Sequence, residues 1–167
     1  ELRARTANLS RSAGWFNIVS QWVATQIIVQ ENPKKQAAVW TRFIKIARRL
    51  FVLNNFNSLM QVMSGLSNVA IARLKKTKKY IPAKEREYMA ELERICEATQ
   101  GFKKYRKVLK NIHGPAIPYL AVHLRDLQYV KDGNPDFVDS AGRAAPGADL
   151  VVEGAAGLAR DGEGREK

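Results

Sequence analysis

The sequence predicts an all-α protein, and three observations support this fold class. Apolar residues recur every three or four positions over most of the chain, whereas the alternation typical of strands is nearly absent. Asn32 and Pro33 form a helix start, since Asn caps a first turn and Pro lacks an N–H that would be unsatisfied there. His113-Gly114-Pro115 is typical of a helix end. The chain is therefore expected to be a bundle of helices.

The first three helices are predicted from their apolar faces. The first face contains Trp15, Ile18, Val19, Trp22, Val23 and Ile27. The second helix starts at Pro33, and its face contains Trp40, Phe43, Ile44, Ala47, Leu50 and Phe51. Asn54 and Asn55 end this helix and are good caps for the third. The face of the third helix contains Phe56, Leu59, Met60, Met63 and Leu66.

Two further helices and a final segment follow a basic stretch, RLKKTKK at residues 73–79. Pro82 opens a helix whose apolar side contains Tyr88, Met89, Leu92, Ile95 and Cys96. The next helix carries Phe102, Tyr105, Val108, Leu109 and Ile112. Pro115 and Pro118 then predict an extended entry into the segment 119–130.

Charge is distributed unevenly along the chain. Residues 1–138 contain 24 basic and 10 acidic side chains, a net charge of +14. Such a surplus predicts attraction to an anionic partner, which could be nucleic acid, an anionic leaflet or an acidic protein face. Residues 139–167 are rich in Gly and Ala and contain no aromatic residue, so they are expected to form a disordered tail.

Residue types needed for bond chemistry or metal binding are sparse. His113 and His123 lie ten positions apart without a cysteine or paired carboxylate at ligand spacing, so no metal site is expected. Neither GxGxxG nor GxxxxGK[ST] occurs, and no cofactor is expected. Cys96 falls on an apolar helix face and is interpreted as a buried structural thiol. These observations favour a binding protein over an enzyme.

Three blocks, in their order and spacing, resemble the conserved regions of the Ras guanine-nucleotide exchange factor (Ras-GEF) catalytic domain. They are WFNIVSQWVAT at residues 15–25, FIKIARRLFVLNNFNSLMQVMSGLSNVAIARLKKT at 43–77 and GPAIPYLAVHLRDLQYVKDGNPDF at 114–137. The resemblance implies a partial Ras-GEF catalytic domain over residues 1–138, an all-helical bundle with a protruding helical hairpin. It also implies a regulator that promotes GDP release from a Ras-family GTPase of Ras, Rap or Ral type, without covalent chemistry of its own. A cytoplasmic protein, recruited to the membrane where such GTPases reside, is the corresponding expectation.

The resemblance also implies roles for individual residues. Gln128 and Asp132, one helical turn apart on the hairpin, would form the catalytic pair that acts on the nucleotide site. Phe102 and Tyr119 would line an apolar pocket that takes an aromatic residue from the GTPase switch. Binding of the GTPase is assigned to Asn17, Met60, Ser67, Asn68, Phe102 and Tyr119, with Asn68 able to replace Ser67.

These assignments leave alternatives. Met60 and Phe102 also fit the core, and Asp132 could stabilise the turn that follows it. The whole chain could be an inactive GTPase-binding scaffold, or a basic helical module for nucleic acid or anionic membrane. Nucleic-acid binding is not expected, because Tyr105 fits the apolar face. Peripheral association with anionic membrane through the basic surface is expected. The second arm of the hairpin would follow Phe137, where this chain continues into the Gly/Ala-rich tail, so that arm is expected to be missing.

Overall fold

A computed structural model describes residues 7–134, which form eight helices. They are α1 (Ala7–Ile28), α2 (Pro33–Val52), α3 (Phe56–Leu66), α4 (Val69–Ala72), α5 (Lys75–Lys78), α6 (Ala83–Cys96), α7 (Thr99–Lys110) and α8 (Leu120–Gly133). No strand occurs within the described residues, so the predicted all-α fold is confirmed. The predicted tail and the position of the second hairpin arm lie outside them. No helix in this range is both long and apolar enough to span a bilayer.

The chain divides into two compact units between Val122 and His123, and the following description concerns the first unit. Its central helix is α3, which packs between α1 and α2, while α2 also contacts α6 and α6 contacts α7. Eight of the eleven residues of α3 are buried, as expected for a helix with apolar neighbours on several sides. Tyr105 on α7 is fully buried. Its predicted core position is confirmed, and its ring is not available for stacking on a base.

Local sequence explains where α2 and α3 begin. Asn32 has an extended backbone and accepts a hydrogen bond from the N–H three residues later at 2.9 Å, and Pro33 occupies the first helical position. Asn55 caps α3 in the same way at 3.1 Å. Both predicted caps are confirmed. Asn54 does not cap; it adopts a left-handed φ of 55°, which closes the turn between the two helices.

The helices α1 and α3 are in close contact at Gly65. A Cβ atom on Gly65 would lie 2.6 Å from the carbonyl oxygen of Ser20 and 2.7 Å from the Cβ of Val23. At the same crossing, the Ser20 hydroxyl donates a hydrogen bond to the Ser64 hydroxyl at 3.1 Å. The missing side chain at position 65 therefore sets the spacing of the two helices.

The predicted apolar face of α1 is divided in the structure. Val23 and Ile27 are buried, but Trp15, Ile18 and Trp22 are 59%, 56% and 52% exposed. The prediction concerned the apolar face and not burial: Trp22 is half exposed, yet its ring packs edge-to-face against that of Phe43 on α2, with centroids 5.4 Å apart. Helical spacing groups the two adjoining sides together and cannot tell which of them meets a neighbour.

The basic stretch between α4 and α6 folds as a short helix and is anchored by one side chain. Thr77 on α5 is 1% exposed, and its hydroxyl donates to the Oε1 of Gln36 at 2.6 Å. Lys75, Lys76 and Lys78 on the same helix are exposed. Most of this stretch is thus a solvated helix face fixed to α2 through Thr77.

The non-helical segment before α8 is held by the turn between α2 and α3. The N–H of Ile117 donates to the carbonyl of Asn54 at 2.9 Å, and the N–H of Phe56 donates to the carbonyl of Ile117 at 2.9 Å. The Asn54 amide also donates to the carbonyl of Pro115, 61 positions away in the sequence, at 3.3 Å. We call this set of bonds the Ile117 clamp. It fixes the chain just before Tyr119.

Candidate functional site

A cavity of about 340 Å³ lies in the first unit, lined by residues from α1, α3, α6 and α7 and by Tyr119. Met60 and Met63 from α3 contribute to it and are themselves 5% and 3% exposed. Phe16 and Phe102 add aromatic rings. The lining is therefore largely apolar, and two flexible Met side chains can adapt its shape to a bound group.

Tyr119 is the central ring of the aromatic wall. Its ring centroid lies 5.7 Å from that of Phe16 and 5.8 Å from that of Phe102, both within the range of favourable ring contacts. The backbone N–H of Tyr119 donates to the hydroxyl oxygen of Tyr105 at 2.8 Å. Burial raises the pKa of Tyr105, which keeps this hydroxyl neutral. The buried Tyr105 and the Ile117 clamp together position the ring at the cavity.

The backbone that carries Phe102 has an unusual conformation. Gln100, Gly101 and Phe102 have φ values of 49°, 65° and 62°, in the left-handed region. For residues other than glycine this conformation costs about 1–2 kcal/mol each. The Nε of Arg106 donates to the carbonyl of Gly101 at 2.7 Å and supports the turn. Such backbone outliers are concentrated at functional sites, and here the outlier lies in the cavity wall.

Carboxylates and hydroxyls form the polar part of the lining. Glu93 and Glu97 come from the end of α6, and Ser64 and Ser67 from the end of α3. Lys104 donates a hydrogen bond to Glu97 at 3.0 Å and thereby lowers the pKa of that carboxyl group below its usual range. Glu97 therefore keeps its negative charge at mildly acidic pH. A partner with an apolar anchor flanked by polar or cationic groups fits this arrangement.

Cys96 also lines the cavity, and its thiol is expected to be unreactive. Burial, and next the negative charge of Glu93, raise the pKa of Cys96 to about 12. Alkylation by iodoacetamide at pH 8 should then be at least about tenfold slower in the folded protein than in urea, because the thiolate is the nucleophile. Comparable rates in the two states would contradict the assignment.

The raised pKa of Cys96 makes the free energy of unfolding depend on pH. The folded pKa of Cys96 lies above the ordinary thiol value, so the folded state retains a proton that the unfolded chain loses. The contribution of this group to the free energy of unfolding is complete below about pH 9 and decreases as the pH rises toward 12. A Cys96→Ser variant should lack this alkaline decrease, which chemical denaturation at several pH values can measure.

The structure brings together four of the six residues predicted to bind a partner. Met60, Ser67, Phe102 and Tyr119 all line the cavity. Asn17 lies next to Phe16 on α1, is exposed, and does not line it.

Asn68 also does not line the cavity, and its side chain has a structural role elsewhere. Its side-chain oxygen accepts a hydrogen bond from the N–H of Ala70 at 2.9 Å and caps α4. The role of Asn68 beside Ser67 stays a prediction. Phe16, Met63 and Cys96 were not predicted as site residues, although Phe16 is adjacent to Asn17 and Met63 lies one turn after Met60.

The two residues predicted to act on the nucleotide site lie in the second unit, on α8. The amide nitrogen of Gln128 donates to a carboxylate oxygen of Asp132 at 2.6 Å, which the spacing of four residues allows. Asn134 donates to the carbonyl of Val130 at 2.7 Å and so satisfies the helix end. Asp132 thus accepts a hydrogen bond from one turn earlier on its own helix, and the turn that it was alternatively predicted to stabilise runs into residues outside those described.

In the described part of the chain, no group of three or more His, Cys, Asp or Glu residues lies close enough together to hold a metal ion.

Comparisons with known protein families and with individual proteins agree. The RasGEF domain family matches residues 1–151 of this chain. The chain is 40% identical over 139 residues to Ras guanine nucleotide exchange factor I of Dictyostelium discoideum. The matched region covers 83% of this chain and 17% of that protein. It is 41% identical over 142 residues to Ras guanine nucleotide exchange factor A of the same organism, covering 85% of this chain and 23% of the relative. The chain thus spans about a fifth of the length of these two relatives.

Proposed function

Because the chain belongs to the RasGEF family, we propose that it promotes the release of GDP from a small GTPase of the Ras, Rap or Ral type. The observation that carries the proposal is the apolar cavity that contains Met60, Phe102 and Tyr119. Its volume, about 340 Å³, is sufficient for one aromatic side chain from the switch region of the GTPase. Aromatic anchors in desolvated pockets are the usual carriers of interface energy.

The second part of the proposal concerns α8. The hydrogen bond from Gln128 orients the Asp132 carboxylate, and GTPase docking would bring this negative charge to the nucleotide site. There it would compete with phosphate and magnesium for the same cationic surroundings. Binding of the exchange factor and of nucleotide would then weaken each other by the same factor. No covalent bond is made or broken in this mechanism, and the chain acts as a regulator of the GTPase.

Release of a fluorescent GDP analogue from a panel of Ras, Rap and Ral proteins tests the proposal. The assay should use this chain and, in parallel, the longest protein its gene encodes. We expect faster release from at least one GTPase. No acceleration of any panel member by the longer protein would refute exchange activity. Capture of nucleotide-free GTPase without acceleration would favour the scaffold alternative.

The double variant Gln128→Ala with Asp132→Ala should reduce the rate of GDP release by at least about tenfold, because it removes the oriented carboxylate. Binding of nucleotide-free GTPase should remain within about threefold, since neither residue lines the docking cavity. Asp132→Asn is the matched control for charge, because it keeps the size of the side chain and a hydrogen-bonding oxygen. Exchange at the parent rate in the double variant would remove α8 from the mechanism.

We also propose that the protein associates peripherally with anionic membrane and is recruited there to its GTPase. The net charge of +14 over residues 1–138 supports this attraction.

A further inference from the structure

One exposed face of α2 is strongly basic. It carries Lys34, Arg42, Lys45, Arg48 and Arg49, which we call the α2 basic stripe. The positions run from 34 to 49, which is fifteen residue steps or about 22 Å of helix at 1.5 Å per step. Two shallow cavities run along the stripe, one of about 430 Å³ and one of about 260 Å³, and Lys45 lines both. The cations therefore form one continuous surface.

Little negative charge opposes the stripe. Among residues 7–134, Lys45 is the only one of the five with an acidic side chain within 4.0 Å, and that contact, to Glu85, is at the limit of 4.0 Å. The Lys45 side chain remains 66% exposed. A surface ion pair of this kind contributes little and is screened by salt. The stripe thus presents a positive potential to its surroundings.

Two aromatic rings hold cations of the stripe in place. The Arg48 guanidinium lies 4.0 Å from the ring centroid of Tyr88 on α6, and the Lys34 ammonium lies 6.0 Å from the ring centroid of Tyr80. These cation–π contacts orient the side chains without neutralising them. Ordered cations lose less conformational freedom when they bind an anion than freely moving ones do.

Apolar groups lie among the cations. Val52 lines the smaller cavity beside Arg48 and Arg49 and is 59% exposed, and Tyr80 lines the larger one and is 53% exposed. A membrane interface receives both kinds of side chain, since cations meet headgroups while aliphatic and aromatic groups enter the boundary with the acyl chains. The phosphate backbone of a nucleic acid offers no apolar surface for Val52 to contact.

We propose that the α2 basic stripe binds anionic phospholipid headgroups and sets which side of the protein faces the membrane. The array extends over about 22 Å of helix, which suits several adjacent headgroups in a leaflet better than one compact phosphate ligand. This inference rests on the peripheral membrane association proposed above and does not depend on nucleotide exchange.

The test compares two charge-reversal variants in vesicle co-sedimentation. Arg42→Glu, Lys45→Glu and Arg49→Glu together reverse the stripe. Lys103→Glu, Lys107→Glu and Lys110→Glu, at the same type of helical spacing on α7, change the net charge equally and serve as the control. Vesicles of phosphatidylcholine alone are compared with phosphatidylcholine mixed with phosphatidylserine, and circular dichroism checks that each variant folds.

We expect the parent to bind only the vesicles that contain phosphatidylserine. The stripe variant should bind these at least about 30-fold more weakly, while the control should stay within about fivefold of the parent. Equal weakening of both variants would overturn the assignment to α2 and leave only attraction by net charge. No binding of the parent to either vesicle would overturn the membrane association as well, and GDP release in solution would be unaffected by that result.

Two competitors separate the possible sources of the anion. Inositol hexakisphosphate is a compact soluble phosphate, and a single-stranded oligonucleotide is an extended one. Binding of either by the parent at least as tightly as the phosphatidylserine vesicles, and lost in the stripe variant, would replace the membrane by a soluble ligand. Weaker binding of both supports the membrane assignment.

Discussion

Replacing Gly65 by alanine is expected to destabilise the protein by about 3 kcal/mol and to lower its Tm by roughly 10 °C. The added Cβ would lie 2.6 Å from a backbone oxygen, that of Ser20, which cannot move aside as a flexible side chain could. The helices α1 and α3 would have to separate, and this would also disturb the buried Val23. Thermal unfolding followed by circular dichroism measures the effect.

Gly14→Ala is the matched control for that experiment. Gly14 lies within α1, and a Cβ built on it meets no atom within 4 Å among the described residues. Alanine has the higher helix propensity, so this change should stabilise the protein by about 0.5–1 kcal/mol. Similar Tm changes of the same sign for the two variants would show that close helix packing is not what requires glycine at position 65.

Phe102→Ala is expected to weaken binding of nucleotide-free GTPase by about 30-fold or more. The reason is the loss of an aromatic wall from a largely apolar cavity, where truncation of an anchor residue typically costs at least about 2 kcal/mol. Titration calorimetry or surface plasmon resonance on the GTPase that responds best in the exchange assay gives the affinity.

Two controls distinguish the cavity from general loss of structure. Val29→Ala removes an apolar side chain that is 61% exposed and outside the cavity, so it should leave the affinity unchanged. Phe102→Tyr keeps the ring and the backbone turn and should retain most of the binding. An affinity of folded Phe102→Ala within about twofold of the parent would place the docking surface elsewhere.

Local features of the sequence were sufficient to predict α1, α2, α3, α6 and α7, but not the four-residue helices α4 and α5. Asn32 and Asn55 cap α2 and α3 because their side chains satisfy N–H groups within three residues, which needs no information from the rest of the chain. Burial along α1 depends on tertiary packing, since Val23 is buried whereas Trp15 and Trp22, on the same apolar face, are exposed. The side of an amphipathic helix that becomes buried depends on where the neighbouring helices lie.

The cavity could be predicted only in part. Met60, Ser67, Phe102 and Tyr119 were grouped through a family resemblance, and the structure places them around one space. Three consecutive left-handed residues in the first turn of α7 could not be foreseen, since glycine at position 101 accounts for only one of them. The contribution of Phe16 was missed, because it depends on how α1 is rotated about its axis.

The Ile117 clamp has a consequence for the order in which the molecule assembles. The helices α2 and α3 are joined by a three-residue turn and can form from local contacts, but Ile117 must reach Asn54 across a loop of about sixty residues. The entropic cost of closing such a loop is offset only when the hydrogen bonds of the clamp form together. We therefore expect the clamp to form late in folding, so that mutations that weaken it should accelerate unfolding more than they slow folding.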